Sequence, residues 1–467
     1  MSALRPWAVI GGGWAGLAAA ITLTAAGRPV VLFESAATVG GRARSLSRST
    51  LADPTATRAS DRIDNGQHLL LGAYRQTLQL LNTIGVVESD VLQRLPLQLT
   101  LYGTPDTAVT TDMRAPGSMT TRLLRLRAPR WLPAPLHLLT ALLRCEGLNA
   151  AQRHAALRLA LALTGDRQHV PDQSVDAWLT ALQQPTHLNE RLWRPLCLAA
   201  LNTPAASASA TTFQRVLRDS FLRRRHDSDL LIPTRPLAQL LPEPATTWLT
   251  RHGSELRCRQ RVNALHLDPT GQRLEAISVA GARYPVAAAI LATPPHISAR
   301  LLQPHPPLRP ISHAVAQLGS QPITTVWLRV PDRWQLSEPM IGFSDGLVQW
   351  LFDHRHLGRP GLFAAVISAH GEHDRLNSHA LGQAVANEIQ QRFQWPPPLA
   401  LQTIRERRAT FDCRVDSSAL RPPSATPVAA LALAGDWCAT GYPATLEGAV
   451  RSGVQCANYL LQQIENP

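Results

Sequence analysis

Trp7-Ala8-Val9-Ile10-Gly11-Gly12-Gly13-Trp14-Ala15-Gly16 opens a stretch that continues to Arg28-Pro29-Val30-Val31-Leu32-Phe33-Glu34, and the whole reads as strand, tight turn, helix and strand. An apolar run stops at glycines, an Ala- and Leu-rich segment of helical length follows, and a second apolar run begins after Pro29. Such a βαβ unit opens a parallel sheet. Gly11, Gly13 and Gly16 fit G-x-G-x-x-G directly after the strand and at the head of the helix. Gly11 permits the turn, Gly13 lets backbone approach a diphosphate, and Gly16 lets helix and strand pack closely. Gly13, Trp14, Ala15 and Gly16 would then meet the diphosphate with free N–H groups and the positive end of the helix dipole. Glu34 follows Gly11 by 23 residues, where its carboxylate can accept both hydroxyls of an adenosine ribose. NAD and FAD share this half-site.

Two further stretches point to a flavin. Val39-Gly40-Gly41-Arg42-Ala43-Arg44 resembles the second glycine-arginine box of the flavin amine oxidase and phytoene desaturase superfamily. There the arginine lies along the pyrophosphate and ribityl region, a role the resemblance gives to Arg42, with Gly40 and Gly41 beside it; Arg44 reads as a neighbouring surface charge. Ala434-Gly435-Asp436-Trp437, with Pro443-Ala444-Thr445-Leu446-Glu447-Gly448-Ala449, is similar to the closing motif of the same superfamily. The resemblance implies that Gly435 and Asp436 hold the ribityl chain. It also implies that a helix starting at Ala444, Thr445 and Leu446 aims its positive end at the flavin N1 and C2 carbonyl edge, favouring the anionic reduced ring. Gln260–Leu265 resembles the segment whose valine, here Val262, contacts adenine through its backbone, and it reads equally as a plain β-strand. FAD is the expected cofactor, and the two ends of the chain must fold together to hold it.

Between those ends, leucines recur at three- and four-residue spacing in Tyr74–Gly85, His137–Gly147, Ala155–Gly165 and Val175–Gln184, so residues 75 to 225 are expected to be largely helical. Residues 36 to 62 read as a loop whose polar middle is a mobile surface excursion. Ala282–Pro295 resembles one buried strand that leaves the cofactor domain at its prolines. Apolar runs at 322–330, 347–352, 362–369 and 399–413 suggest an antiparallel sheet, interrupted by a helix near 378 to 393. The fold class expected is α/β plus α+β. A discontinuous Rossmann-like FAD-binding domain (1–75, 226–298 and 414–467) would carry an inserted substrate domain of helices and antiparallel sheet (76–225 and 299–413).

Composition narrows the chemistry. With 467 residues, 45% hydrophobic and 17% charged, the chain has ample material for two cores. All 46 cations behind the net charge of +13 are arginine, and no lysine occurs. That excludes a lysine Schiff base, a lysine nucleophile and a lysine phosphate clamp. No Arg and aromatic interleaving accompanies the charge, so nucleic acid is not an expected partner. Six scattered cysteines lack metal-like spacing, and reduced thiols and a cytoplasmic location are expected. No signal peptide and no membrane-spanning run is expected, so any membrane contact would be peripheral, on the inner face.

Ile63-Asp64-Asn65-Gly66-Gln67-His68-Leu69-Leu70-Leu71-Gly72-Ala73-Tyr74, with the closing motif, resembles the hydroxysqualene dehydroxylases, also called squalene-associated FAD-dependent desaturases. The resemblance implies reductive removal of the hydroxyl of hydroxysqualene to give squalene, a step toward bacterial hopanoids. It places the loop near the flavin ring, making Gly66 and Gln67 cofactor contacts and Asp64 and His68 candidates for the acid that protonates the leaving hydroxyl. Each has a blander reading, Asp64 as a turn cap and His68 as a backbone hydrogen-bonding partner. An isoprenoid lipid substrate needs a long apolar tunnel. The mixture of arginines, Trp131 and leucines between Met119 and Leu143 suits either an interfacial membrane segment or an amphipathic surface helix pair. A single dinucleotide fingerprint implies a separate external electron donor. Rival readings are a carotenoid or squalene desaturase running hydride the other way, an amine oxidase, which generally needs a lysine beside the flavin, and a non-enzymatic prenyl-lipid escort protein.

Overall fold

The computed structural model of the chain describes residues 5–46, 51, 62–104, 120–165 and 171–465. β1 (Trp7–Ile10), α1 (Trp14–Ala25) and β2 (Val30–Phe33) form where the spacing predicts them, and both strands are buried throughout. They belong to a five-stranded parallel sheet ordered 255–257, β2, β1, 288–291 and 431–433. A strand covered on both faces needs an unbroken apolar run, and Val30–Phe33 and Ala288–Leu291 supply one. The sheet therefore draws strands from both ends of the chain and from its middle.

A seven-stranded sheet runs 400–410, 321–329, 362–368, 350–353, 340–343, 98–103 and 121–127. Its pairings are antiparallel except that 340–343 runs parallel to 98–103, with Gly342 opposite Leu101, so the sheet is mixed rather than purely antiparallel. The expected helix at 378–393 is present as Ser378–Phe393, capped by Asn377, whose side chain accepts from the Ala380 amide.

The stretch 75–225 is largely helical, as expected, with most of its helices between Leu136 and Phe221, but it is not helical throughout. It holds α2 (Arg75–Thr83), but Leu92–Leu95, Gln98–Gly103 and Thr121–Arg127 are strands. In Thr121–Arg127 the leucines at 124 and 126 enter the core, while Arg125 and Arg127 both donate to one buried carboxylate, Glu338 Oε1, at 3.1 Å. A bulge opposite Leu101 and Tyr102 breaks the two-residue alternation, and a broken alternation imitates helical spacing in a count of leucines. Met119 and the polar loop at 47–61, Leu51 apart, lie outside the described residues. From Thr121 onward the arginine- and leucine-rich segment is a strand, a loop bearing Trp131, and α3 (Leu136–Leu143), which packs on α4 (Ala150–Ala162); it is not a helix pair. Ala282–Pro295 likewise divides into two strands. Ala282–Pro285 pairs with 274–279 and Ala288–Leu291 with β1, because Val286 and Ala287 carry the chain from one sheet to the other.

The last helix, α5 (Leu446–Glu465), lies along α1. Contact is close because Gly453 has no side chain: a Cβ there would fall 2.1 Å from the Ala15 carbonyl oxygen. Gly453→Val is expected to lower stability by about 1–3 kcal/mol through overpacking, measured as a shifted urea midpoint at unchanged slope. An unshifted midpoint would mean that the two helices can part without cost.

Candidate active site

The glycine turn is built by exclusion. Gly11 has φ +109° and a Cβ on it would lie 2.6 Å from the Ala292 carbonyl oxygen; a Cβ on Gly16 would lie 1.9 Å from the Gly11 oxygen. Gly13 is different, since its Cβ would meet nothing nearer than the Gly41 Cα at 4.0 Å. The first turn of α1 has no capping side chain and no acidic residue, so its N–H groups and dipole are left for an anion. Glu34 ends β2 beside this turn, with Oε2 accepting from Gly12 N at 2.8 Å and Oε1 from Ala36 N at 2.7 Å. Oε2 retains a lone pair for a ribose hydroxyl, while Oε1 also accepts from Ser35 Oγ at 3.3 Å, a contact that a second ribose hydroxyl would replace.

The second glycine-arginine box crosses the first. Gly40 N donates to Gly12 O at 2.7 Å, and Arg42 then reaches the far end of the chain, donating to Asp436 Oδ1 at 2.5 Å and to Ala409 O at 2.6 Å. The loop carrying Asp436 is pinned by a residue that the sequence did not single out. Buried Arg421 donates to the carbonyls of Asp436, Trp437 and Cys438, and its guanidinium stacks 4.7 Å from the Phe411 ring. Glu447, at the first turn of α5 and fully buried, accepts from Gln76 N, Thr77 N, Thr77 Oγ1 and Arg451, and so caps α2.

A cavity of about 780 Å³ opens from these groups into the molecule. Gly11, Gly13, Trp14, Ala15, Glu34, Gly40, Gly41, Arg42, Gly66, Gln67, Val262, Gly435, Asp436, Ala444, Thr445 and Leu446 all line it. Gly16 does not; it acts from behind, by letting α1 approach the turn. Beyond this polar end the walls are apolar, including Leu138, Leu142, Leu159, Trp193, Phe213 and Trp350. Among the described residues the carboxylates on the wall are Glu34, Glu406 and Asp436, and Glu406 lies in the field of Arg42. The apolar part therefore holds no acid.

The loop 64–68 is held by its own side chains and by His354. Asn65 Nδ2 donates to Arg42 O at 2.5 Å, Gln67 Nε2 to His68 O at 3.2 Å, and His354 Nε2 to Gln67 Oε1 at 2.8 Å. Burial pushes His354 down to about 3, which keeps the ring neutral and the Gln67 amide in one orientation. His68 lines the cavity, but burial lowers its pKa, and Nδ1 faces Gly66 O at 2.8 Å, which leaves Nε2 as an acceptor. Asp64 is off the cavity, its Oδ1 accepting from Ser45 Oγ at 2.6 Å and from Leu237 N at 2.9 Å, with burial raising its pKa to about 6. Neither is arranged as a proton donor, and the blander reading of each describes its contacts.

Sequence reasoning also missed Tyr442, on the cavity wall. Its hydroxyl donates to Asp219, which Arg215 and Arg223 also engage. Burial alone would raise Asp219, but the bonds from Tyr442 and Arg215 outweigh it and hold the carboxylate below its usual range. Burial and that carboxylate push the phenol up, so it stays protonated. Asp219 is far from Tyr442 in sequence, and no local pattern signals the pair.

Comparison with known proteins agrees with this geometry. The profile of the flavin containing amine oxidoreductase family matches residues 14–461. The chain is 30% identical to hydroxysqualene dehydroxylase of Sinorhizobium fredii over 97% of its own length and 98% of that protein's. It is 22% identical to 15-cis-phytoene desaturase of Narcissus pseudonarcissus, covering 98% of this chain and 79% of the other. Among solved structures, an oxidoreductase from Methanosarcina mazei superposes with a TM-score of 0.72 at 16% identity, covering 99% of this chain and all of that one.

Glu34→Ala removes two acceptors for the ribose and is expected to weaken FAD binding about tenfold to a hundredfold, followed by flavin absorbance on titrating the apoprotein. Asp64→Asn is expected to retain flavin and turnover. The raised pKa of Asp64 favours the folded state below pH 3.8, and that contribution is lost as pH rises through about 6. The thermal midpoint of the wild type should thus fall across that window relative to Asp64→Asn. A loss of turnover of about a hundredfold in the variant would return Asp64 to a catalytic role.

Proposed function

The chain belongs to the flavin containing amine oxidoreductases and, among them, to the hydroxysqualene dehydroxylases; it is an FAD-dependent oxidoreductase, and we propose that it removes the hydroxyl of hydroxysqualene reductively to give squalene. The observation that carries this reading is the single cavity that begins at the glycine turn and Glu34 and continues between leucine, tryptophan and phenylalanine walls without a carboxylate. Gly13, Glu34, Arg42 and Asp436 would hold the dinucleotide, with Val262 at the adenine, and the start of α5 at Thr445 would face the ring. Bound and reduced, FAD would supply a hydride, and with one proton from solvent the hydroxyl leaves as water, so the products are squalene, water and oxidised FAD.

The protein's own residues then have three tasks. The apolar walls take up an isoprenoid chain and keep water from an allylic cation, which would otherwise be captured as the alcohol. Gln67, oriented by His354, and Asn65, tied to the Arg42 backbone, keep the 64–68 loop against the flavin end. The uncapped α1 terminus and Arg42 offset the charge of the diphosphate. Such a substrate partitions into bilayers, so the enzyme works peripherally at a membrane, and a separate donor supplies its electrons.

Anaerobic incubation of the holoenzyme with hydroxysqualene and chemically reduced flavin is expected to yield squalene by gas chromatography and mass spectrometry. Absence of product, with bleaching of oxidised flavin by squalene or a carotenoid precursor instead, would reverse the direction of hydride transfer and favour a desaturase.

A further inference from the structure

We propose that the outer face of the α3–α4 hairpin, with the Trp131 loop, docks on an anionic lipid bilayer and that the cavity fills from the bilayer through this wall; the inference rests on the isoprenoid reading of the cavity. Among the described residues, the large apolar side chains that are well exposed include Trp131 at 79%, Leu136 at 48%, Leu143 at 52% and Leu161 at 59%. Single exposed leucines need no explanation, but these four share one loop and two helices that pack on each other. The same helices turn Leu138, Leu142, Leu159 and Leu163 into the cavity. The partition between the cavity and the outside is therefore one helix thick and carries leucines on both faces. A surface helix ordinarily puts its polar residues outward. One interior hydrogen bond, His137 Nε2 with Ser228 Oγ at 3.0 Å, ties α3 to the body beneath.

Charge selects the occupant of this face. Residues 128–163, which form the loop and the hairpin, contain four arginines and one acidic residue, Glu146, which Arg122 engages. Arg130 and Arg144 flank α3, are exposed, and make no ion pair among the described residues. A tryptophan and leucines bordered by guanidinium groups match the boundary of a bilayer, with apolar side chains at the acyl level and arginines at the phosphates. No helix among the described residues is long and apolar enough to cross a membrane.

The test is co-sedimentation of the holoenzyme with vesicles of phosphatidylcholine alone and of equal parts phosphatidylcholine and phosphatidylglycerol. The wild type is expected to bind the anionic vesicles preferentially. The triple variant Trp131→Ser, Leu136→Ser, Leu161→Ser should bind them at least about tenfold more weakly, while Arg130→Gln with Arg144→Gln should lose only the preference for phosphatidylglycerol. None of these side chains lines the cavity, so the variants should keep the flavin spectrum and the turnover of detergent-dispersed hydroxysqualene, and the triple variant should lose turnover of vesicle-borne substrate. Equal sedimentation of wild type and triple variant, or none by the wild type, overturns the proposal. So does a dimer in light scattering that the triple variant dissolves, which would give the face to a second copy. Sedimentation needs no substrate and is read whether or not squalene is ever formed.

Discussion

The ion pair between Arg42 and Asp436 joins parts of the chain that lie nearly at its opposite ends, and most of the site depends on it. Asp436 is almost wholly shielded while the arginine is about one-third exposed, so the pair sits at the edge of the cavity rather than in its core. Removing one partner would leave a charge beside an apolar space, which is far costlier than the net worth of the pair itself. The same guanidinium holds the Ala409 carbonyl, so the end of the strand 400–410 is fixed by the one side chain. Arg421 repeats the device a layer below, converting an irregular loop of carbonyls into a defined shape. Burial lowers its pKa, and the carbonyl oxygens supply the hydrogen bonds that water would have given.

Features encoded by neighbours in sequence were legible. The glycine turn, β1, α1, β2 and the helix Ser378–Phe393 follow from apolar period and local caps, and the closing motif lines the same cavity as the glycine turn. Thr121–Arg127 was not legible as a strand because a bulge disguises its alternation, and its arginines are explained only by Glu338, more than 200 residues away. Asp64 and His68 had the right residue types for acid chemistry. What decides their role is the direction of the side chain, toward Ser45 and Leu237 for one and Gly66 for the other, and no pattern of letters carries that. Arg421, His354 and the Tyr442–Asp219 pair were invisible for the same reason, since each acquires meaning only from a distant partner.

The cavity separates its tasks by composition. Polar groups near the glycine turn already have partners within the protein, as with Glu34 on Gly12 and Ala36, so the site is shaped before any ligand arrives. The apolar half has few directional groups, and its hydroxyls and amides are largely committed, with Asn202 bonded to Pro322 O and Thr410 Oγ1 and accepting from Ala369 N. A long hydrocarbon offers nothing to hydrogen-bond, so selection there is by shape and exclusion of water.

The buried carboxylate of Glu447 has a mechanical consequence. By accepting three hydrogen bonds from α2, and a fourth from Arg451 on its own helix, it ties the start of α2 to the start of α5, with the cavity residues Tyr74 and Thr445 on either side of the junction. At the apolar end, one side-chain hydrogen bond among the described residues, His137 Nε2 with Ser228 Oγ, ties the leucine-faced helix α3 to the body beneath. The two ends of the cavity are thus built differently: buried hydrogen bonds cross-brace the polar end, and side-chain packing holds the helix wall of the apolar end.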